Sequence, residues 1–223
     1  MTTPAVFANI RWEVTRLVRS RRVFLLSIPP VAGPIGSAIA FLYFHVQYQS
    51  TALLLGLLVT GGLSTLVMLD LSALSVGEEL SRRAHFTLFT LPEERWAMLA
   101  GRVIVVFGAS LAVYALGAAL VSVLAAELVP ATGGSIAINS SHLIEGVAVM
   151  LLFLGAVTLT ASIITRSASE ALVAGVLSAV VTVAVAGYFL LQGTLTMLFP
   201  AVLGVAAVIA LGWSFVSYSD LES

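Results

Sequence analysis

The chain has no cysteine and no lysine. Without cysteine there is no disulfide framework and no thiol chemistry. Without lysine there is no Gly-x-x-x-x-Gly-Lys-Ser/Thr loop, so the chain carries no Walker-type phosphate cradle. Charge of either sign is scarce. Ten basic residues, all arginine, and eleven acidic ones serve 223 positions, which makes 9% charged. A soluble globular domain has about 25%. So few charges cannot cover the surface of a soluble fold of this size, and a disordered chain would be far more polar. The net charge of −1 offers no basic field for nucleic acid. What the chain has instead is 60% hydrophobic residues, which points to lipid as its main solvent.

The hydrophobic residues come in charge-free runs. Val23 to Leu69 (47 residues) and Ala171 to Ser219 (49) are long; Val103 to Ala126 (24) and Gly146 to Thr165 (20) are short. A membrane crossing takes about 20 apolar residues, so the long runs hold two crossings each and the short ones one. Six spans are predicted: Val23 to Phe44, Thr51 to Leu69 with helix extending as far as Val76, Val103 to Ala126, Leu143 to Ile164, one starting at Ala171 and one ending near Ser217. Pro200 suits the first turn of the sixth, where its missing N–H costs nothing. Runs such as Leu53-Leu-Leu-Gly-Leu-Leu-Val59 lack the alternation of a barrel strand. The fold class is therefore all-α, a polytopic membrane protein.

The arginines set the orientation. Positions 11, 16, 19, 21 and 22 precede span one, 82, 83, 95 and 102 lie between spans two and three, and 166 lies between spans four and five. With six spans, all these segments fall on one side, which places both termini in the cytoplasm of a cell-membrane protein. Ser37-Ala-Ile-Ala40 resembles a signal-peptide cleavage site, but 22 residues precede the apolar run and the run continues past it to Phe44, so no cleavage is expected.

Two polar segments hold most of the remaining information. In residues 1–22, Thr3-Pro4 is a helix start, and Phe7, Ile10, Val14, Leu17 and Val18 form an i, i+3, i+4 stripe. Arg11, Arg16 and Arg19 lie mostly off it, and Trp12 suits the headgroup boundary. The pattern predicts an amphipathic helix lying on the membrane, either as an anchor or as a docking element. Between spans two and three, Gly77 to Arg102 carries Glu78, Glu79, Arg82, Arg83, Glu93, Glu94 and Arg95. Leu80, Ala84, Leu88 and Leu91 share a helical face; Phe86 and Phe89 fall outside it, near Arg82. Large aromatics on a charged face are knobs for a partner's pocket, or else dip into the bilayer interface. Leu91-Pro92 breaks the helix, and Glu93-Glu94 open the next one at its positive end.

This segment resembles the loop between spans two and three of ABC-2 type transporter permeases: an acidic start, a short helix, the Leu91-Pro92 step, Arg95-Trp96 and a Gly101-Arg102 return. Where that family has Gly-Thr-Leu-Glu, this chain has Ala84-His-Phe-Thr87. Ile10 to Arg22 is similar to the family's amphipathic connecting helix, and Ser219-Asp-Leu221 to the end of its Arg-Arg-Asp-Leu tail. The resemblance implies a connecting helix over 1–22 and a six-span transmembrane domain over 23–223. It implies a cytoplasmic coupling helix seated in a separate ATP-binding subunit, with Glu78, Glu79, Arg82, Arg83, Phe86, Phe89, Leu91 and Pro92 at the contact. ATP and Mg would belong to that partner, and this chain would bind no cofactor and have no catalytic site. Six spans are half of the usual twelve, so a second copy or a related permease is implied. The family's usual direction is export. The alternative from another class is a membrane scaffold or channel subunit whose polar loop binds some other cytoplasmic protein.

Other candidates carry less. Asp70 follows span two directly and sits either at the cytoplasmic boundary or as a polar contact on the translocation path. His45, His85 and His142 lie in three separate loops, so no metal site is expected. Gly61-Gly-Leu-Ser64 and Gly108-Ala-Ser110 faintly suggest an intramembrane serine nucleophile, but no histidine lies in a span to activate one. Small residues there serve close helix packing instead. Tyr188 to Pro200 is long enough for either a re-entrant turn or an exposed loop.

Overall fold

The computed structural model describes residues 3–20, 23–46, 48–81, 95–129, 140–191 and 198–219. Its helices are α1 (Thr3–Arg19), α2 (Val23–Leu26), α3 (Ile28–Tyr43), α4 (Gln49–Ser81), α5 (Arg95–Leu128), α6 (Ser140–Thr165), α7 (Ala168–Leu191) and α8 (Leu198–Ser219). No strand occurs among the described residues. Six stretches are long and apolar enough to cross a membrane: Phe24–Tyr43, Thr51–Glu78, Trp96–Leu128, Ile144–Thr165, Ala168–Ala186 and Phe199–Ser219. They match the six expected spans in order and number. Helices suit this setting because they satisfy every interior backbone group internally.

Two boundaries differ from the sequence reading, each for a physical reason. Span one is two helices rather than one, because Pro29 and Pro30 cannot continue α2. Their rings would meet the carbonyls of Leu25 and Leu26, and neither has an N–H to offer. The break falls at Ser27, which keeps a helical backbone (φ −81°, ψ −15°) and whose hydroxyl donates to the Phe24 carbonyl at 2.6 Å, and α3 restarts with the prolines in its first turn. At the other end of span two, α4 runs on to Ser81, past Leu69 and Val76. Likewise α5 starts at Arg95, next to the helix start expected at Glu93-Glu94, and runs without a break into the apolar span that begins at Val103. A charged residue ends an apolar run but does not end a helix, which needs only its backbone bonds. At 33 and 34 residues, α4 and α5 are each about 50 Å long against about 30 Å of hydrocarbon.

The chain folds into two compact units. One comprises residues 21–67 and 109–148. Here α4 and α5 run antiparallel in a regular register: Ala52 clusters with Ala125, Gly56 lies against Val121, and Thr60 lies against Gly117. Phe41 and Val129 complete the cluster at one end. Thr60 is held between two glycines. A Cβ at Gly33 would lie 2.6 Å from its Oγ1, and a Cβ at Gly117 would lie 2.6 Å from its Cγ2. Small residues let membrane helices approach this closely, and the packing that results holds helices together where lipid supplies no hydrophobic drive.

The other unit comprises residues 1–20, 68–108 and 149–223. Val76 and Leu80 of α4, Leu99 of α5, Leu159 and Ile163 of α6 and Tyr218 of α8 form its core, with Val103, Leu211 and Phe215 packed against them. A hydroxyl pair ties α6 to α8: Thr160 Oγ1 and Ser214 Oγ are 2.7 Å apart, and Thr160 also reaches the Ala210 carbonyl at 3.0 Å. The outer faces of α7 and α8 are apolar and exposed, with Val173, Leu177 and Val180 on one and Val205, Ile209 and Trp213 on the other. In a membrane chain, such faces are wetted by lipid.

Candidate functional site

The polar segment that the sequence singles out leaves α4 at Ser81 and enters α5 at Arg95. Arg82, Arg83, Phe86, Phe89, Leu91 and Pro92 lie outside the described residues. Glu78 and Glu79 belong to the last turn of α4, and Glu78 is half-buried. Leu80, on the apolar face read from the sequence, is 5% exposed in the core with Leu99 and Tyr218. The last turn of α4 is thus packed into its unit.

The neighbour of that turn is the connection between α6 and α7. A Cβ at Gly77 would lie 2.9 Å from both the backbone N and Cα of Ala168, so only glycine lets α4 approach so closely. The connection is stiff. Arg166 takes a left-handed conformation, φ 53°, as the residue after α6. The Thr165 hydroxyl donates to the Ala161 carbonyl at 2.9 Å and accepts the Ser167 N–H at 3.3 Å. Ser167 precedes α7, and its Oγ accepts the Glu170 N–H at 3.5 Å. Ser167-Ala-Ser-Glu170 therefore has the Ser-x-x-Glu spacing of a capping box. That signal stands in the sequence, where it reads only as a turn. The importance of Gly77 has no comparable signal, because a glycine's close neighbour is not written beside it.

The start of α5 has a matching contact. A Cβ at Gly101 would lie 2.9 Å from the Asn9 Cβ and 3.2 Å from the Ile10 N, so α1 lies directly on α5. The helix α1 presents three faces. Glu13, 5% exposed, centres the face turned inward, flanked by Asn9 and Val6. Phe7, Val14 and Val18 form an exposed apolar face, while Ile10 and Leu17 of the same expected stripe are half-buried. Arg11, Trp12, Thr15 and Arg19 lie on a third face, exposed. There the Arg16 guanidinium stands 5.6 Å above the Trp12 ring and 3.4 Å from a Glu13 carboxylate oxygen. Trp12, Thr15, Arg16, Arg19 and Ser20 line a shallow recess. Arg102, beside Gly101, is 2% exposed. The described arginines of α1, of early α5 and of the α6–α7 turn all belong to one unit.

Asp70 is half-buried in α4 between the fully buried Leu69 and Leu71. It lies inside the apolar stretch Thr51–Glu78, eight residues or about 12 Å from its end. The helix and its buried apolar face continue past it through Leu71, Ala73 and Val76. Among the described residues no three His, Asp or Glu side chains gather as a metal cluster. The fold defines a class: an all-helical, multi-pass membrane protein. Compared with protein-family models, curated proteins and solved structures, the chain matches none of them.

Proposed function

We propose that this chain is the transmembrane permease subunit of an ATP-driven transporter of the ABC-2 type, an exporter of a hydrophobic or amphipathic substrate. The segment 77–100 couples it to a separate ATP-binding subunit, which holds ATP and Mg. A second copy or a related permease completes the transmembrane part. Both termini are cytoplasmic, and α1 lies at the cytoplasmic interface with Phe7, Val14 and Val18 in lipid and its arginines toward the headgroups.

One observation supports this reading most. The helices on either side of 82–94 are long, unbroken and seated by glycine contacts, Gly77 on the α6–α7 turn and Gly101 on α1. A short polar connection can pass force into spans only if its two ends are stiff and anchored. Closure of an attached ATP-binding subunit would then move α4 and α5 as rods rather than bend a loop.

The test is purification of the tagged chain from its native membrane in mild detergent, followed by mass spectrometry. The expected result is a stoichiometric second protein with P-loop and signature sequences. Recovery of the chain at full yield without such a protein contradicts the proposal.

A further inference from the structure

The recess on α1 has a volume of about 400 Å³ and is lined by Trp12, Thr15, Arg16, Arg19 and Ser20. Its lining carries two guanidiniums and no carboxylate. Arg16 is held from behind, 5.6 Å above the Trp12 ring and 3.4 Å from a Glu13 carboxylate oxygen. Arg19 is exposed, and among the described residues no ion pair holds it. The hydroxyls beside them already donate elsewhere: Thr15 to the Arg11 carbonyl at 2.8 Å, Ser20 to the Leu17 carbonyl at 2.9 Å. The donors left for a ligand are guanidinium N–H groups, whose fork matches a phosphate or carboxylate. Arg16 and Arg19 are three residues apart, so their Cβ atoms stand about 5–6 Å from each other and both side chains can reach one anion.

The helix wheel adds an apolar requirement. With the centre of the exposed stripe of Phe7, Val14 and Val18 taken as zero, Arg11, Thr15 and Arg19 stand about 40°, 80° and 120° around the axis. Asn9, which lies against Gly101 of α5, and the buried Glu13 stand at about 200° and 240°. The recess therefore opens between the apolar stripe and the face packed on α5, and its Thr15 edge runs into the stripe past the exposed Arg11. An acidic peptide would meet the charge of this surface and leave the stripe bare. An anionic phospholipid meets both, with acyl chains along the stripe and its phosphate at the arginines.

We propose that this recess is a binding site for one anionic phospholipid, whose phosphate is held by Arg19 and Arg16 and whose acyl chains lie along Phe7, Val14 and Val18. The Trp12 ring forms the recess wall that meets the headgroup. The site rests on the placement of α1 at the membrane interface proposed above, and not on the ATP-driven part of that reading. Because α1 lies on α5 at Gly101, a lipid bound there holds the start of α5 at a fixed depth in the leaflet.

The test is native mass spectrometry of the full chain released from phosphatidylcholine vesicles with a minor share of phosphatidylglycerol. Arg19→Gln removes the exposed guanidinium. Arg166→Gln, which removes an exposed arginine of the same unit outside the recess, is the control. Wild type and R166Q are expected to retain one phosphatidylglycerol in about tenfold preference to phosphatidylcholine, and R19Q to lose about fivefold of that preference. Equal preference in R19Q overturns the site. Displacement of the retained lipid by inorganic phosphate makes the recess a solution-anion site and overturns it too. Arg19 also lies in the last turn of α1, where a cation favours the helix end. A purely structural arginine would make R19Q melt lower by the same amount with and without phosphatidylglycerol, and that result overturns the proposal; the expected difference appears only when the anionic lipid is present. A spin label at Val18→Cys in the cysteine-free chain reports the placement of α1 separately. Relaxation by oxygen, which concentrates in the bilayer, together with no lipid preference overturns the site and leaves α1 at the interface. Relaxation by a water-soluble nickel chelate instead overturns both.

Discussion

Alanine at both Phe86 and Phe89 is expected to weaken the complex with the proposed ATP-binding subunit about a hundredfold while leaving the chain folded. In the sequence pattern the two residues fall three apart and outside the apolar face of Leu80, Ala84, Leu88 and Leu91, so nothing in the chain's own apolar pattern calls for them. An aromatic anchor buried in a partner's pocket contributes about 2 kcal/mol or more. Losing two at only about 1.4 kcal/mol each already gives a factor of a hundred. The measurement is affinity of the purified double variant for the ATP-binding subunit in lipid nanodiscs, alongside stimulation of its ATPase. Unchanged affinity removes both residues from the interface and returns them to the bilayer surface.

The second large effect concerns Gly77. Valine there must place its Cβ where the backbone of Ala168 already stands, 2.9 Å away. Backbone cannot swing aside as a flexible side chain does, and the α6–α7 turn is stiffened by Thr165, Ser167 and the left-handed Arg166. Overpacking of this kind costs about 1–3 kcal/mol, and at roughly 2–4 °C per kcal/mol the melting temperature should fall by about 2–12 °C. Gly62→Ala is the control, since nothing lies within 4 Å of its Cβ position; it should hold or raise the melting temperature through better helix propensity. In the transport reading, Gly77→Val also lowers ATPase stimulation while affinity for the ATP-binding subunit stays near wild type, because Phe86 and Phe89 are intact. An unchanged melting temperature would mean that α4 does not rest on the turn.

The spans were legible because charge is so scarce: an uncharged run of 20 residues has few alternatives to a crossing. The break in span one was also written in the chain, at Pro29-Pro30, but two prolines inside an apolar run read equally well as residues within a helix. The ends of the apolar runs are not the ends of the helices: Glu78, Glu79 and the buried Arg102 lie in α4 and α5 beyond them. Contacts were the least legible. Gly33, Gly77, Gly101 and Gly117 look no different in sequence from Gly62 or Gly108, yet the first four lie against a neighbour and the last two against nothing within 4 Å. Glu13 was hidden for a similar reason: a carboxylate on a basic helix reads as solvated until α1 is seen lying on α5.

The proposed coupling requires all arginine-bearing connections to face the cytoplasm, so that 82–94 meets a motor there. Single cysteines in the cysteine-free chain, labelled in intact cells with a membrane-impermeant maleimide, test this most directly. Gln47→Cys and Ser135→Cys should label from outside, and Arg83→Cys and Ser169→Cys only after the membrane is permeabilised. Labelling of Arg83→Cys from outside would contradict the arrangement and the transport reading with it.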